Sequence, residues 1–204
     1  RTANTALYFD GASFFEIPNS DDISFGTTDY CIEMWIKPEV SSANHAIWNK
    51  GGHGTAADVA GASAILGGSN GSMDFRWHDG TAWRINDGLG AGSISYDVWH
   101  HVAFQRRVSD PTSGTTGSWM TFLDGVCIDN VTNSYVDDNH VSSTYTFKIG
   151  KNHEGNYYFI GWMDGIRFTK GMPRYTAGIP TDGQSPAKDY DDGRSSNVSS
   201  NTWA

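Results

Sequence analysis

Cysteine is scarce in this chain: Cys31 and Cys127 are its 2 cysteines, too few for a disulfide framework. Each falls in a stretch that reads as strand, where a thiol behaves as a small hydrophobe, and both are expected to be free. Glutamate is scarce too, with Glu16, Glu33, Glu39 and Glu154 set against 19 Asp among 23 acidic residues. Asp favours turns, where it bonds its own backbone, and Glu favours helix interiors, so the skew argues against a largely helical protein. Cations are few and dispersed: 14 Lys and Arg leave a formal net charge of -9, and only Arg106-Arg107 stand side by side. A phosphate backbone calls for clustered positive charge, so no nucleic-acid partner is expected. No apolar run approaches the roughly 20 residues of a membrane helix, and no signal-like segment follows Arg1, so the chain reads as soluble, without a membrane partner. Lacking an initiator Met, it reads as a fragment, a processed product or part of a longer chain.

What the chain has in quantity is turns and alternating strands. It carries 24 Gly, and Asp-Gly recurs at Asp10, Asp79, Asp87, Asp124, Asp164, Asp182 and Asp192, punctuating it from end to end. Between these breaks, Trp99 to Phe104 and Trp119 to Leu123 alternate apolar and polar residues, as half-buried strands do, and the second runs into the Asp124-Gly125 turn. In Tyr30 to Pro38, Tyr30, Ile32, Met34 and Ile36 share one face and Glu33 and Lys37 the other. Further strands are expected at 6–9, 14–17, 45–50, 64–66, 73–78, 81–85, 127–132, 145–149, 157–160 and 163–168, the last two joined by a Gly-Trp step. The Gly- and Ala-rich stretch from Gly51 to Gly71 reads as the least core-like part of the middle. About a dozen short strands indicate an all-β, antiparallel two-sheet jelly-roll sandwich. It is expected over residues 1–180, with a polar C-terminal arm over 181–204 that has too little to bury for a core of its own.

A set of ordered motifs resembles one family. Phe9-Asp10-Gly11, Glu16-Ile17-Pro18 and Phe25-Gly26 lead into Asp29 to Pro38; Trp99 to Ala103, Leu123-Asp124-Gly125, Ile149-Gly150 and Gly161 to Arg167 follow in order. Together they resemble the laminin G-like, concanavalin A-like lectin and glucanase jelly rolls over residues 6 to 180. The resemblance implies two antiparallel sheets, one concave, with ligands on that face or at the loop rim. The segment Phe168 to Thr176 is similar to the variant found in structural proteins of tailed bacteriophages and in bacterial surface proteins.

Related glucanases use two Glu on one strand, because retaining hydrolysis needs carboxyls about 5 Å apart. The four Glu here are scattered, so no catalytic residue is assigned. Flat rings stack on sugar faces, and two clusters offer rings beside hydrogen-bonding groups: Trp77, His78, Asp79 and Trp83 around one hairpin, and Tyr157-Tyr158 after the 152–156 loop. These six form the candidate glycan site, against the plain alternative that alternate members face the core. Trp35, Trp99 and Trp162 are assigned to core or sheet packing. His45, His53, His78, His100, His101, His140 and His153 show no zinc spacing. Some laminin G-like relatives bind calcium, and Asp10, Asp137, Asp138 and Asp164 offer hard oxygens. Turn formation explains Asp10 and Asp164 equally well, so no metal is assigned and no cofactor is required.

The leading expectation is a non-catalytic binding or assembly module of a phage virion, as capsid decoration, head fibre or tail-fibre domain. Its partners would be other virion subunits and cell-surface glycans, with homo-oligomers an option. The alternative is a secreted carbohydrate-binding module attached to a hydrolase or adhesin, and a glycoside hydrolase ranks third. Either leading reading places the protein on a virion or outside a cell.

Overall fold

In the computed structural model, residues 6–51, 60–79, 81–89, 94–112, 114, 116–132, 135–136, 145–153, 155 and 157–175 are described. The arm at 181–204, Asp137, Asp138, His53, His140 and Glu154 lie outside them. Twelve strands are found among the described residues: β1 (Leu7–Asp10), β2 (Phe15–Ile17), β3 (Tyr30–Pro38), β4 (His45–Gly51), β5 (Gly61–Leu66), β6 (Met73–His78), β7 (Trp83–Leu89), β8 (His100–Arg107), β9 (Ser118–Leu123), β10 (Val126–Val131), β11 (Phe147–Ile149) and β12 (Ile160–Lys170).

They form two antiparallel sheets of six strands, a front sheet ordered β1-β12-β3-β8-β9-β10 and a back sheet ordered β2-β11-β4-β5-β6-β7. The expected sandwich is therefore present. Asp124 and Gly125 both take positive φ, 50° and 80°, which matches the right-handed twist of the flanking strands and closes the β9–β10 hairpin. Tyr30, Ile32, Met34 and Ile36 of β3 enter the core between the sheets, where Val102 and Phe104 of β8 and Trp48, Phe75 and Trp77 of the back sheet meet them. The rings interlock there: Trp48 lies 5.8 Å from Phe104 edge-on, Phe75 lies 5.0 Å from Trp119, and Trp77 stacks 6.2 Å from Trp119.

Two expectations change. The stretch taken as least core-like contains β5, which is buried along its whole length. The register gives the reason: Ala64 lies between Trp48 and Phe75, and Ala62 lies beside Trp77, so small residues of β5 leave room for large neighbours at close packing density. The two strands expected at 157–160 and 163–168 are one long β12, preceded by a bridge from Lys151 to Tyr158. It absorbs an irregularity between Asp164 and Arg167, and at Gly161 the backbone takes φ 129°, where a Cβ would sit 2.2 Å from the Lys37 carbonyl oxygen. Glycine alone lets the chain pass there as a continuous strand.

The cysteines carry no disulfide. They sit on β3 and β10, separated by β8 and β9, and three inter-strand steps of about 4.8 Å exceed the Cα separation a disulfide spans.

Candidate functional site

Because β3 sends alternate residues into the core, Cys31, Glu33, Trp35 and Lys37 must face away from it. The strand register extends this outward set into rungs across the front sheet. Tyr8, Trp162 and Lys37 form one; Asp164, Trp35 and His101 the next; Arg167, Glu33, Ala103 and Phe122 the third; Thr169, Cys31, Gln105 and Met120 the fourth.

The first rung is open. Tyr8 is 47% and Trp162 38% exposed, their ring centroids are 4.9 Å apart at an interplanar angle of 52°, and the Tyr8 hydroxyl donates to Glu39 Oε2 at 3.4 Å. Lys37 stands next in the rung. In the second rung, Trp35 meets His101 edge-on at 5.3 Å.

The last two rungs are closed, although they too face outward. Cys31, Ala103, Met120 and Phe122 form a second small apolar cluster, and Tyr175 packs on it from the segment that follows β12. Gln105 fastens that segment: its Oε1 accepts from the backbone N–H of Arg174 at 2.6 Å and of Tyr175 at 2.8 Å, and its Nε2 donates to the Tyr175 carbonyl at 2.7 Å. A side-chain amide here does the work of a neighbouring strand.

Beneath the same segment Glu33 is almost fully buried. Arg174 Nε lies 2.7 Å and Arg167 Nη1 3.3 Å from Oε1 of Glu33, His101 Nε2 lies 3.6 Å from Oε2, and the Tyr175 hydroxyl donates to Oε2. Burial pushes the Glu33 carboxyl up, but His101, Arg174 and Tyr175 outweigh it and hold the group below its ordinary range. Burial and then the Glu33 charge drive the Tyr175 phenol far up, so it stays a neutral donor.

The six candidate site residues do not converge. Trp77 is a core residue, 2% exposed, because its place in β6 aligns it with Phe75 and Met73 on the inward face; its assignment to a glycan site is corrected. His78 is buried as well, meeting Trp83 edge-on at 5.0 Å, which leaves Trp83 as the exposed ring of that hairpin. Asp79 caps the turn: Oδ1 accepts from the N–H groups of Thr81 and Ala82 at 2.7 and 2.8 Å, and Oδ2 meets Arg84 Nε at 2.5 Å. Burial opposes these contacts, yet together they drive its pKa far down.

Tyr157 and Tyr158, half-buried, lie at the opposite edge of the back sheet. They lie at its opposite end as well, since His78 is level with Gly61 and Gly51, whereas Lys151, the partner of Tyr158, follows Ile149, itself level with Trp48. Asn152 Oδ1 accepts the Tyr157 N–H at 3.2 Å, fixing the loop.

Tyr8, which the sequence does not single out, and Trp162, which it assigns to core or sheet packing, are the most open rings of the front sheet. Met163 is wholly buried, and the residue before it in a strand points out. The same argument sends Trp35 out between Met34 and Ile36. The Glu33 cluster gave no local signal, because its members come from β3, β8, β12 and the segment beyond.

Among the described residues, no three His, Cys, Asp or Glu side chains converge to hold a metal. Asp10 Oδ1 accepts from the N–H groups of Ala12 and Ser13, and Asp164 Oδ1 from that of Gly165, so these two carboxylates serve turns.

No curated protein matches the chain. Among solved structures, NanB in complex with Optactamide is 13% identical, with a TM-score of 0.61 over 82% of this chain and 26% of that one. Domains LG4-5 of the mouse laminin α1 chain give 10%, 0.57, 85% and 44%, and the CBM40 domain of a Ruminococcus gnavus IT-sialidase 14%, 0.50, 81% and 94%. The chain thus spans less than half the length of the laminin and NanB chains, and at these identities the likeness is one of fold. A family model described as the concanavalin A-like lectin/glucanases superfamily matches residues 5–172, and the chain belongs to that laminin G-like family.

Proposed function

We propose that this domain is a non-catalytic saccharide-binding module working outside a cell, with its ligand on the open end of the front sheet. The observation that carries the reading is the pair of exposed, touching rings Tyr8 and Trp162. Rings of this size cover a pyranose face, while Lys37 and Glu39 stand ready to bond its hydroxyls. Membership of a superfamily named for lectins and glucanases supports the reading, as does likeness to a sialidase's CBM40 domain. A binding role without catalysis is supported by Glu33, a carboxylate held by two arginines, where hydrolysis would want a second carboxyl facing it.

Screening on a glycan array followed by calorimetry tests the proposal. Trp162→Ala, at an exposed position, should lower affinity for the bound saccharide by at least about tenfold with the thermal midpoint little changed. Affinity should be the same with and without a calcium chelator. Binding to no saccharide, or binding indifferent to Trp162→Ala, would overturn it.

A virion setting is a second reading, favoured by the similarity of Phe168 to Thr176 to phage structural proteins; the superfamily match and structural neighbours give it no added support. In that setting, electron microscopy of the assembly should place residues 181–204 against another subunit. A tail lying on its own sandwich would remove the reading.

A further inference from the structure

The segment 171–175 is held on the front sheet as a ligand is held. It lies on β3, β8 and β9, interior strands paired on both sides, so side chains receive it in place of backbone. The Gln105 amide bonds the N–H of Arg174 and both the N–H and the carbonyl of Tyr175. The Tyr175 ring packs 4.8 Å from that of Phe122, at an interplanar angle of 42°, on the cluster that includes Cys31, Ala103 and Met120. The Arg174 guanidinium and the Tyr175 hydroxyl both end on Glu33. The pocket thus recognises a dipeptide by its guanidinium, its phenol and the backbone between them.

The joint to β12 is open by contrast. Gly171 takes φ 85°, and a Cβ built there would meet nothing within 4 Å. Residues 171–173 are exposed, Met172 at 50%, so another path through them gives up little buried surface. The pocket cannot stay empty at so small a cost. Cys31, Glu33, Ala103, Met120 and Phe122 are each no more than 4% exposed, and loss of the segment would bring apolar surface and a charge short of a partner into water. The same segment from another copy restores every contact. In dilute solution the chain's own segment prevails, since its effective concentration is on the order of millimolar, and a neighbour's competes once copies crowd together.

We propose that the pocket of Glu33, Gln105 and Phe122 is an interaction site for a second copy of this chain. Two copies exchange their 171–175 segments reciprocally, each placing Arg174 and Tyr175 on the other's front sheet. The exchange goes beyond the saccharide-binding reading and does not depend on it, because Tyr8 and Trp162 stand in another rung.

Two full-length variants test it. Arg174→Ser with Tyr175→Ser vacates the pocket. That chain should bind a fluorescent peptide of residues 170–176 at least about tenfold more tightly than the wild type, whose own segment competes. The peptide should raise its thermal midpoint, and adding Gln105→Ala should weaken binding by at least about tenfold. Deleting Met172 and Pro173 removes up to about 7 Å of reach, so the segment no longer returns to its own pocket. Light scattering should find this second variant dimeric, and excess peptide should return it to monomers. A vacated chain that folds without binding the peptide would overturn the exchange. So would a monomeric deletion variant, or a dimer or aggregate of it that excess peptide leaves unchanged.

Discussion

At the scale of the residue, two buried titratable groups shape how the protein answers acid. His45 is wholly buried, its Nδ1 accepts the Ile160 N–H at 3.0 Å, and desolvation lowers its pKa from 6.5 to about 4. Between those values the unfolded chain binds more protons than the folded one, so stability is complete above about 6.5 and falls as pH drops toward 4. The loss amounts to about 3 kcal/mol. Glu33, held below its ordinary 4.5, acts in the same direction, its contribution being present above that value and lost further into acid. The thermal midpoint should therefore be level near neutrality and fall from pH 6.5 to 4. In His45→Asn, whose Oδ1 replaces Nδ1 as the acceptor for Ile160 and which removes the titration, the decline over that window should flatten; an unchanged slope would refute the assignment.

At the scale of the element, alternation made most strands readable: β3, β4, β6 and β8 lie where apolar period and turn residues put them. The failures have specific causes. The first half of β5, Gly61 to Ala64, has only small side chains because β4 and β6 supply the large ones, and β12 runs through a glycine that single-sequence reading takes for a break. The covering segment Arg174-Tyr175 was legible only as a family-like motif, since its hold depends on Gln105, 69 and 70 positions away in sequence. Gln105→Ala removes the one acceptor shared by both amides. Hydrogen exchange at Arg174 and Tyr175 should then quicken by at least about tenfold, while amides in the middle of β3 keep their protection. Unchanged exchange at both positions would mean that ring packing on Phe122, with centroids at 4.8 Å, holds the segment alone.

At the scale of the whole molecule, one apolar core is shared by both sheets, with Trp48, Phe75, Trp77 and Trp119 in contact across it. Neither sheet can bury its face without the other. Denaturant unfolding followed by tryptophan fluorescence and by far-ultraviolet circular dichroism should accordingly give coincident transitions. Separate midpoints would show that the sheets do not unfold as one unit.

The same scale explains why the candidate site was harder to read than the fold. Hydrophobic period and turn chemistry are local, so the sequence by itself determined the all-β class, most strand positions and the inward face of β3. Which rings remain in water is a property of register and layer. Trp77 and Trp162 look alike along the chain, and only the pairing of β6 inside the sandwich and β12 beside β1 buried one and left the other open. The tertiary structure alone likewise gathered Glu33, His101, Arg167, Arg174 and Tyr175, because a buried charge must be met from several strands at once and no short stretch of sequence holds them all.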